Sequence, residues 1–285
     1  DSPLAAVEDA IAAIGRGEIV VVVDDEDREN EGDLIMAAEH ATPEQIAFFV
    51  RYTSGVLCAP ITGERLDGLA LPLMVSVNTE PMRTAYTVTV DAAEGTTTGI
   101  SASDRSLTLN LLASEESEPH YFVRPRHVLP LRYRPGGVLK RAGHTEAAVD
   151  LARLAGCEPA GVLAEVVNDD GTMSRLPELI DFCEEHDLLL ISIADLIRYR
   201  RANERLVDPV AQSRMPTIYG DFTSHVFRDF DGQEHVALVH GQIMGADPVL
   251  VRVHSECLTG DILASMRCDC GNQLHAAMEA IAKEG

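Results

Sequence analysis

Seven acidic side chains, Asp24, Asp25, Glu26, Asp27, Glu29, Glu31 and Asp33, fall within ten residues directly after the apolar run Ile19-Val20-Val21-Val22-Val23. So much like charge in one loop is costly unless a cation relieves it. Oxygen-rich sites of this kind suit Mg2+ or Mn2+, and carboxylates left free of metal serve as acid or base. The alternative is a solvated charged loop. An EF-hand does not fit, because Gly32 and the acids fall at the wrong spacing. A two-metal nuclease fits the carboxylates but not the charge balance. Lys plus Arg number 23 against 46 for Asp plus Glu, a formal net charge of −23. Such a surface repels nucleic acid and anionic membranes, so a phosphorylated ligand needs a locally basic pocket.

A second group is Gly136-Gly137-Val138-Leu139-Lys140-Arg141-Ala142-Gly143-His144-Thr145-Glu146. Gly143 lets the backbone approach a ligand closely, Thr145 sits where a helix begins, and Arg141 adds a fixed positive charge. Together they describe a phosphate site at a helix N-terminus. His144 is placed to act as a metal ligand there, with a capping or structural role as its alternative. A third group joins Arg252-Val253-His254-Ser255-Glu256-Cys257 to Arg267-Cys268-Asp269-Cys270-Gly271-Asn272-Gln273. Cys257, Cys268 and Cys270 supply three thiolates and leave a fourth tetrahedral position for water, the pattern of a catalytic rather than a structural zinc. Three reduced thiols without a metal are the alternative.

The elements that must hold these groups follow from patterning. Ser2-Pro3 reads as the cap and first-turn proline of a helix with Leu4, Val7, Ile11 and Ile14 on one face, ending at Gly15. Residues 18–23 read as a strand entering the acidic loop, and 34–37 resume extended structure. Thr42-Pro43-Glu44-Gln45 opens a helix through about Arg51 with a capping box. Residues 86–90 alternate like a strand, and Ser103 is placed to cap a helix over 104–112. Strands are expected over 161–167 and 188–193, and helices over 145–155 and 176–186. A terminal helix over 193–204 carries Arg198, Arg200 and Arg201, with Arg205 just beyond. After a break at Val207-Asp208-Pro209, strands over 222–230 and 235–239 flank the turn Asp231-Gly232, and 249–253 reads as one more. The expectation is an α/β (α+β) domain over residues 1–205, with a mixed sheet in two or three layers, then part of a mostly β domain over 206–285.

The length of 285 residues fits about two domains. Hydrophobic residues at 46% and charged residues at 24% exclude a disordered tail or a fibre. The six cysteines form no disulfide framework, which points to a reducing, cytoplasmic compartment. No apolar run approaches the ~20 residues of a membrane span, and no secretory signal opens the chain. Asp1 stands where a Met is expected and the pattern stops mid-stride at Gly285, so the chain reads as a piece of a longer protein.

Three strings, DDEDRENEGD from Asp24 to Asp33, GISASDR from Gly99 to Arg105 and RAGHTEA from Arg141 to Ala147, resemble the 3,4-dihydroxy-2-butanone 4-phosphate synthases of riboflavin biosynthesis. The likeness runs over essentially all of residues 1–205. It implies a lyase that converts D-ribulose 5-phosphate to formate and L-3,4-dihydroxy-2-butanone 4-phosphate with Mg2+ (or Mn2+). It also implies a homodimer with active sites at the subunit interface. By the same resemblance Glu29 and His144 hold the magnesium. Arg28, Glu29, Asp33, Glu165 and the run Arg141, Ala142, Gly143, His144, Thr145 bind substrate, with Arg141 and Thr145 on its phosphate. His127 and Glu165 match positions essential for catalysis, and Cys58 and Asp104 match further pocket positions. Core packing, a surface loop and a buried ion pair are the alternatives for Cys58, His127 and Glu165. One departure is Pro125-Arg126-His127, where the family pattern has Pro-Gly-His; if that Gly needs a positive φ, Arg126 is strained. From about 216 the chain is similar to GTP cyclohydrolase II. This implies Zn2+ on Cys257, Cys268 and Cys270, and GTP contacts from Arg252, Val253, His254, Ser255, Glu256 and Gln273. That family's catalytic Asp and Arg lie further downstream, so these residues alone are expected to show no cyclohydrolase activity.

Overall fold

The computed structural model describes residues 3–230, 232–245 and 248–284, which fall into two compact units, Asp1–Glu204 and Arg205–Gly285. In the first, α1 (Val7–Gly15) leads to β1 (Val20–Val23), whose four valines are all buried. A strand buried at consecutive positions must be covered on both faces, and that is the plan of the unit. β2 (Gly32–Ala37), α2 (Pro43–Tyr52), β3 (Cys58–Ile61), α3 (Gly63–Gly68), β4 (Val90–Ala92) and α4 (Ala102–Ala113) follow. Then come β5 (Phe122–Arg132), α5 (His144–Leu154), β6 (Gly161–Glu165), α6 (Leu176–His186), β7 (Leu189–Ser192) and α7 (Ile193–Asn203). The seven strands lie in the order β4-β5-β3-β6-β2-β1-β7, with β1 and β7 parallel, β3 and β5 parallel, and the other neighbours antiparallel.

Alternate side chains feed two cores. Val21, Val23, Leu34 and Met36 pack with Ile46 and Phe49 of α2, Leu109 and Leu112 of α4, and Leu179 of α6. Val20, Val22, Ile35 and Ala37 pack with Val7 and Ile14 of α1, Ala148 and Leu151 of α5, and Leu196 of α7. The result is a three-layer sandwich. β2 and β6 run side by side from Ala37 opposite Gly161 to Asp33 opposite Glu165, so the acidic loop and Glu165 meet at one end of the pair. Among the described residues no helix is long and apolar enough to cross a membrane.

In the second unit β8 (Val207–Thr217), β9 (Gly220–Asp229) and β10 (Glu234–Val239) form an antiparallel sheet in the order β10-β9-β8, and α8 (Cys270–Glu284) ends the chain.

Several expectations need correction. The first helix starts at Val7 behind Ala6, which makes no side-chain cap; Ser2 lies outside the described residues. Ser101, not Ser103, caps α4, accepting from the Asp104 amide. Of residues 86–90 only Val90 belongs to a strand, as the first residue of β4, while Tyr86 and Thr87 make single bridges to Leu131 and Leu73. Val207-Asp208-Pro209 is not a break but the start of β8, an edge strand, where a proline removes no ladder bond that matters. Residues 249–253 are not a strand: Val251 and Val253 are exposed, with no pairing among the described residues. Asp231, the first residue of the expected turn, lies outside the described residues.

Candidate active site

The acidic loop is organised by its first member. Asp24 Oδ1 accepts the Glu31 amide at 2.9 Å, and Oδ2 accepts the Glu29 amide at 3.1 Å and Arg28 Nη1 at 2.8 Å. Asp25, Glu26 and Asp27 are exposed. The seven acids thus divide into one structural residue, three solvated ones, and Glu29, Glu31 and Asp33, which face inward. Arg28 also pairs with Glu29.

His144 opens α5 behind Gly143. Its Nε2 lies 3.1 Å from the Val22 carbonyl oxygen, to which it donates, leaving the Nδ1 lone pair free. That atom is 4.0 Å from Glu29 Oε2 and 3.8 Å from Asp33 Oδ2. Burial drives the His144 pKa down to about 4, so the ring is neutral at pH 7, the form that ligates metal. Two donors about 2.1 Å from one Mg2+ lie at most about 4.2 Å apart, so the spacing admits an ion between Glu29 and His144. Asp24, Glu29 and His144 also place one ligand atom each within 4.8 Å of one another.

Asp33 is 2% exposed and its Oδ1 has no hydrogen-bond partner. Burial, then Glu165, Glu29, Glu31 and Asp24, raise its pKa well above the ordinary carboxylate value. Glu165 faces it across the β2–β6 pair and accepts from Ser54 Oγ at 2.6 Å. Cys58, 4% exposed on β3, has its pKa pushed up by burial and then by Glu165 and Asp33, so it stays a thiol.

On the other side of Gly143 is a cationic pocket of about 230 Å3 whose lining includes Arg83, Arg132, Arg134, Arg141, Thr145 and Glu146. Arg141 holds Glu146 at 2.7 Å, Thr84 Oγ1 at 2.9 Å and the Met82 carbonyl at 3.2 Å. A Cβ on Gly143 would stand 2.5 Å from Arg141 Nη1 and 3.0 Å from Arg28 Nη2. Without a Cβ at Gly143 the two guanidinium groups converge beside the backbone there. In a chain of net charge −23, the four arginines make this pocket a locally basic patch.

His127 stands apart. It lies on β5 rather than in a loop, and its Nδ1 is 2.7 Å from Asp91 Oδ2 while its amide donates to Asp91 Oδ1 at 3.1 Å. Gly99 closes over them with φ 92°; a Cβ there would lie 1.7 Å from Asp91 Oδ2. Asp104 belongs to this group too, but its carboxylate is taken up by the Thr97 amide, Thr97 Oγ1 and the Gly99 amide, bonds that hold its pKa down to about 2. The structure therefore gives Asp104 a loop-building position rather than a pocket-facing one. No hydrogen bond or ion pair among the described residues joins the His127 group to Glu29, Asp33 and Glu165. Arg126 is not left-handed, and its amide donates to Thr89 Oγ1 at 2.8 Å, so the change from glycine brings no strain.

Sequence reasoning missed Asp91 and Ser54. Asp91 had a signal, an acid closing the alternating stretch 86–90; Ser54 had none.

In the second unit Cys257 Sγ and Cys268 Sγ are 3.8 Å apart, and all three thiols lie within 4.8 Å of one another. Two sulfurs at about 2.3 Å from a tetrahedral Zn2+ stand about 3.8 Å apart, so the donors fit that ion. A Cβ on Gly260 would lie 2.7 Å from Cys268 Sγ. Hydrogen bonds from Thr259 and the Gly260 amide lower the Cys257 pKa to about 7. Arg252 Nη2 donates to Gln273 Oε1 at 2.6 Å and His254 Nε2 meets Asp261 Oδ2 at 3.0 Å, while Val253, Ser255 and Glu256 are exposed.

A buried acid cluster with a metal-ready histidine, beside an arginine-lined pocket, is suited to moving protons on a small phosphorylated molecule. Comparison with known proteins agrees. The family model for 3,4-dihydroxy-2-butanone 4-phosphate synthase matches residues 8–199, and that for GTP cyclohydrolase II matches residues 208–285. A riboflavin biosynthesis protein RibBA of Salinispora arenicola is 60% identical over 98% of this chain and 67% of its own length. A bifunctional chloroplastic riboflavin biosynthesis protein of Arabidopsis thaliana is 56% identical over 98% of this chain, which spans 52% of that relative. Among solved structures, RibBX from A. baumannii, a two-domain 3,4-dihydroxy-2-butanone 4-phosphate synthase, superposes with a TM-score of 0.78 at 42% identity, covering 97% of this chain and 80% of its own. A synthase structure in complex with two magnesium ions gives a TM-score of 0.69 at 48% identity over 70% of this chain and 98% of its own. The chain belongs to the 3,4-dihydroxy-2-butanone 4-phosphate synthase family. It carries a GTP cyclohydrolase II domain behind the synthase domain, and its place is in riboflavin biosynthesis.

Proposed function

We propose that the first unit converts D-ribulose 5-phosphate to L-3,4-dihydroxy-2-butanone 4-phosphate and formate, using Mg2+ (or Mn2+) held by Glu29 and His144. The observation that carries this reading is the buried Asp33 Oδ1 without a partner beside the free Nδ1 of a neutral His144. Nδ1 is a metal donor left without a protein hydrogen bond, and Asp33 Oδ1 is a buried oxygen that no protein group satisfies. Mg2+ bound there stabilises negative charge developing on the sugar oxygens next to the ketone.

The chain's own residues supply the rest. Arg141 and Thr145 anchor the phosphate at the start of α5, with Ala142, Gly143 and His144 holding the rest of the substrate. Arg28 reaches the same spot from the acidic loop. Asp33, whose environment favours its protonated form, and Glu165, steadied by Ser54, give and take protons at the sugar carbons and hydroxyls. Cys58 lines the floor as a neutral thiol. In the His127–Asp91 pair, Asp91 keeps the ring proton on Nδ1 and leaves Nε2 to accept or return a proton. The protein is read as a homodimer with its active sites at the subunit interface, as the likeness to the synthase family implies. Exposed Val56, Met74, Val75, Val77 and Ile100 offer apolar surface for that contact.

For the second unit the reading is a segment that holds Zn2+ on Cys257, Cys268 and Cys270 and contacts GTP through Arg252 to Glu256 and Gln273. The protein as a whole is read as a cytoplasmic enzyme.

The test is formate release from D-ribulose 5-phosphate with Mg2+ against an EDTA control. Metal-dependent formate is expected from the wild type and none from Glu29→Ala. Formate that survives EDTA, or a folded wild type that releases none, overturns the reading.

A further inference from the structure

Outside both sites, Glu39, His40 and Cys157 bring a carboxylate, an imidazole and a thiol within 4.8 Å of one another. His40 Nε2 lies 3.6 Å from Cys157 Sγ and 3.5 Å from Glu39 Oε1. For a tetrahedral Zn2+, with about 2.3 Å to sulfur and about 2.0–2.2 Å to nitrogen or oxygen, the spacings come to about 3.6 Å for S to N and about 3.4 Å for N to O. The two His40 distances match without any movement, and the Glu39–Cys157 pair lies within 4.8 Å. The same yardstick is met by the Cys257–Cys268 spacing in the second unit.

The three donors are also fixed from behind. Glu39 and His40 form a single tight turn, Ala38–His40, at the end of β2. The Ala38 amide donates to the Ala160 carbonyl at 2.9 Å, and the Glu158 amide donates to Glu39 Oε2 at 3.3 Å, leaving Oε1 for His40. Cys157 is set by its amide N–H, which donates to the Ala152 carbonyl at 3.0 Å, just beyond α5. Ser106 Oγ and Asn110 Nδ2 both donate to the Ala41 carbonyl, at 2.8 and 2.7 Å, which pins the far side of the turn. Gly17, with φ 79°, lies against the His40 side chain, where an added Cβ would come to 3.1 Å from His40 Cβ. All three donors are half-exposed, so an ion and a closing water have a route in.

We propose that Glu39, His40 and Cys157 form a binding site for a borderline divalent cation of the Zn2+ class, with water as the fourth ligand. A thiolate and an imidazole select against Mg2+ and Ca2+, so the site does not compete for the ion of the acidic loop. Thiolate, carboxylate and a neutral imidazole carry two negative charges, which the cation neutralises. The site sits where β2 ends and β6 begins, at the opposite end of the strand pair that holds Asp33 and Glu165. Occupancy joins the Ala38–His40 turn to the connection between α5 and β6.

The experiment uses the full chain, stripped with a chelator and titrated with Co2+, whose bond to a thiolate gives charge-transfer absorption. Cys268→Ala disables the cysteine trio. Its cobalt–thiolate absorption is expected to persist, to disappear when Cys157→Ala or, separately, His40→Gln is added, and to be displaced by Zn2+ but not by Mg2+. Formate release, which uses none of these residues, reports that each variant remains folded. Absence of the signal from a Cys268→Ala variant that still releases formate overturns the proposal. So does a signal that survives both Cys157→Ala and His40→Gln.

Discussion

Asp91 gives the sharpest test of the mechanism, because it touches His127 twice and nothing assigned to substrate. The 2.7 Å contact to Nδ1 has the length of a charge-assisted hydrogen bond, and the carboxylate is 1% exposed. In Asp91→Asn the amide oxygen still accepts the His127 backbone N–H. The NH2 group then faces Nδ1 and forces the ring proton onto Nε2. The nitrogen that should accept a proton now carries one. General acid–base catalysis is worth about 10^2 to 10^4 in rate, so kcat falls by that factor, about 3–5 kcal/mol at about 1.4 kcal/mol per tenfold. KM stays near the wild-type value, since the phosphate pocket and acid cluster are untouched. Replacing a bond to a charged group costs about 1–3 kcal/mol of folding stability, read from urea unfolding as a lower midpoint. The assay is formate release for Asp91→Asn, His127→Ala and the double variant. Residues acting as one unit do not add, so the double variant is no slower than His127→Ala. A kcat within a few-fold of wild type for Asp91→Asn, or losses that multiply in the double variant, would refute the reasoning.

Other expectations follow from the same geometry. Burial and neighbouring acids raise the Asp33 pKa in the folded chain above its unfolded value. The folded state therefore pays nothing below the unfolded pKa, loses stability as pH rises, and bears the full cost above the folded pKa. Asp33→Asn thus abolishes formate release while raising the melting temperature at pH 8 but not at pH 3; a lower melting temperature at pH 8 would count against it. Arg83 holds φ 58° at the mouth of the cationic pocket. Arg83→Ala raises KM for ribulose 5-phosphate roughly fivefold, about 1 kcal/mol for an exposed charge, with kcat unchanged in steady-state kinetics. If sites are shared between subunits, inactive Glu29→Ala and His127→Ala chains, unfolded and refolded together, regain up to about a quarter of wild-type activity. Half the dimers are then mixed, each with one intact site of two; no recovery means that each chain builds its site alone. Arg200 is 5% exposed and meets the fully buried Asp150 at 2.6 Å. Arg200→Met removes that cation and leaves the carboxylate to Tyr133 Oη and the Val138 amide, at a cost of about 1–3 kcal/mol, seen in denaturant titration.

The elements and groups legible in the sequence are those whose signal is contiguous. The capping box at Thr42, the buried valines of β1, the acidic loop and the glycine-flanked Arg141 to Thr145 each carry their physics within a few residues. What stayed hidden depends on partners far along the chain. β5 reads poorly because Pro125 and Pro130 argue against a strand and residues 123–127 are all exposed. The fold absorbs both: the ladder to β4 shifts register between Val128 and Val123, around Pro125, and the Pro130 carbonyl serves Thr87. Losing β5 as a strand meant losing the Asp91–His127 pair, since only the β4–β5 pairing brings them together. Val249 to Val253 erred the other way, because apolar alternation without a second strand is not a sheet.

The acidic loop shows why residue type alone overstates a site. Seven carboxylates in sequence suggest a dense metal cage, yet Asp24 spends both oxygens on the loop backbone and Arg28, and three others face water. The buried cluster is assembled across strands, from Glu29, Asp33 and Glu165, with His144 brought in by the start of α5. Its electrostatic character comes from burial rather than from the count of acids. Burial is the largest cause of both the raised Asp33 and the depressed His144. Those opposite shifts place a carboxyl that holds its proton more tightly than usual beside an imidazole that holds its proton less tightly.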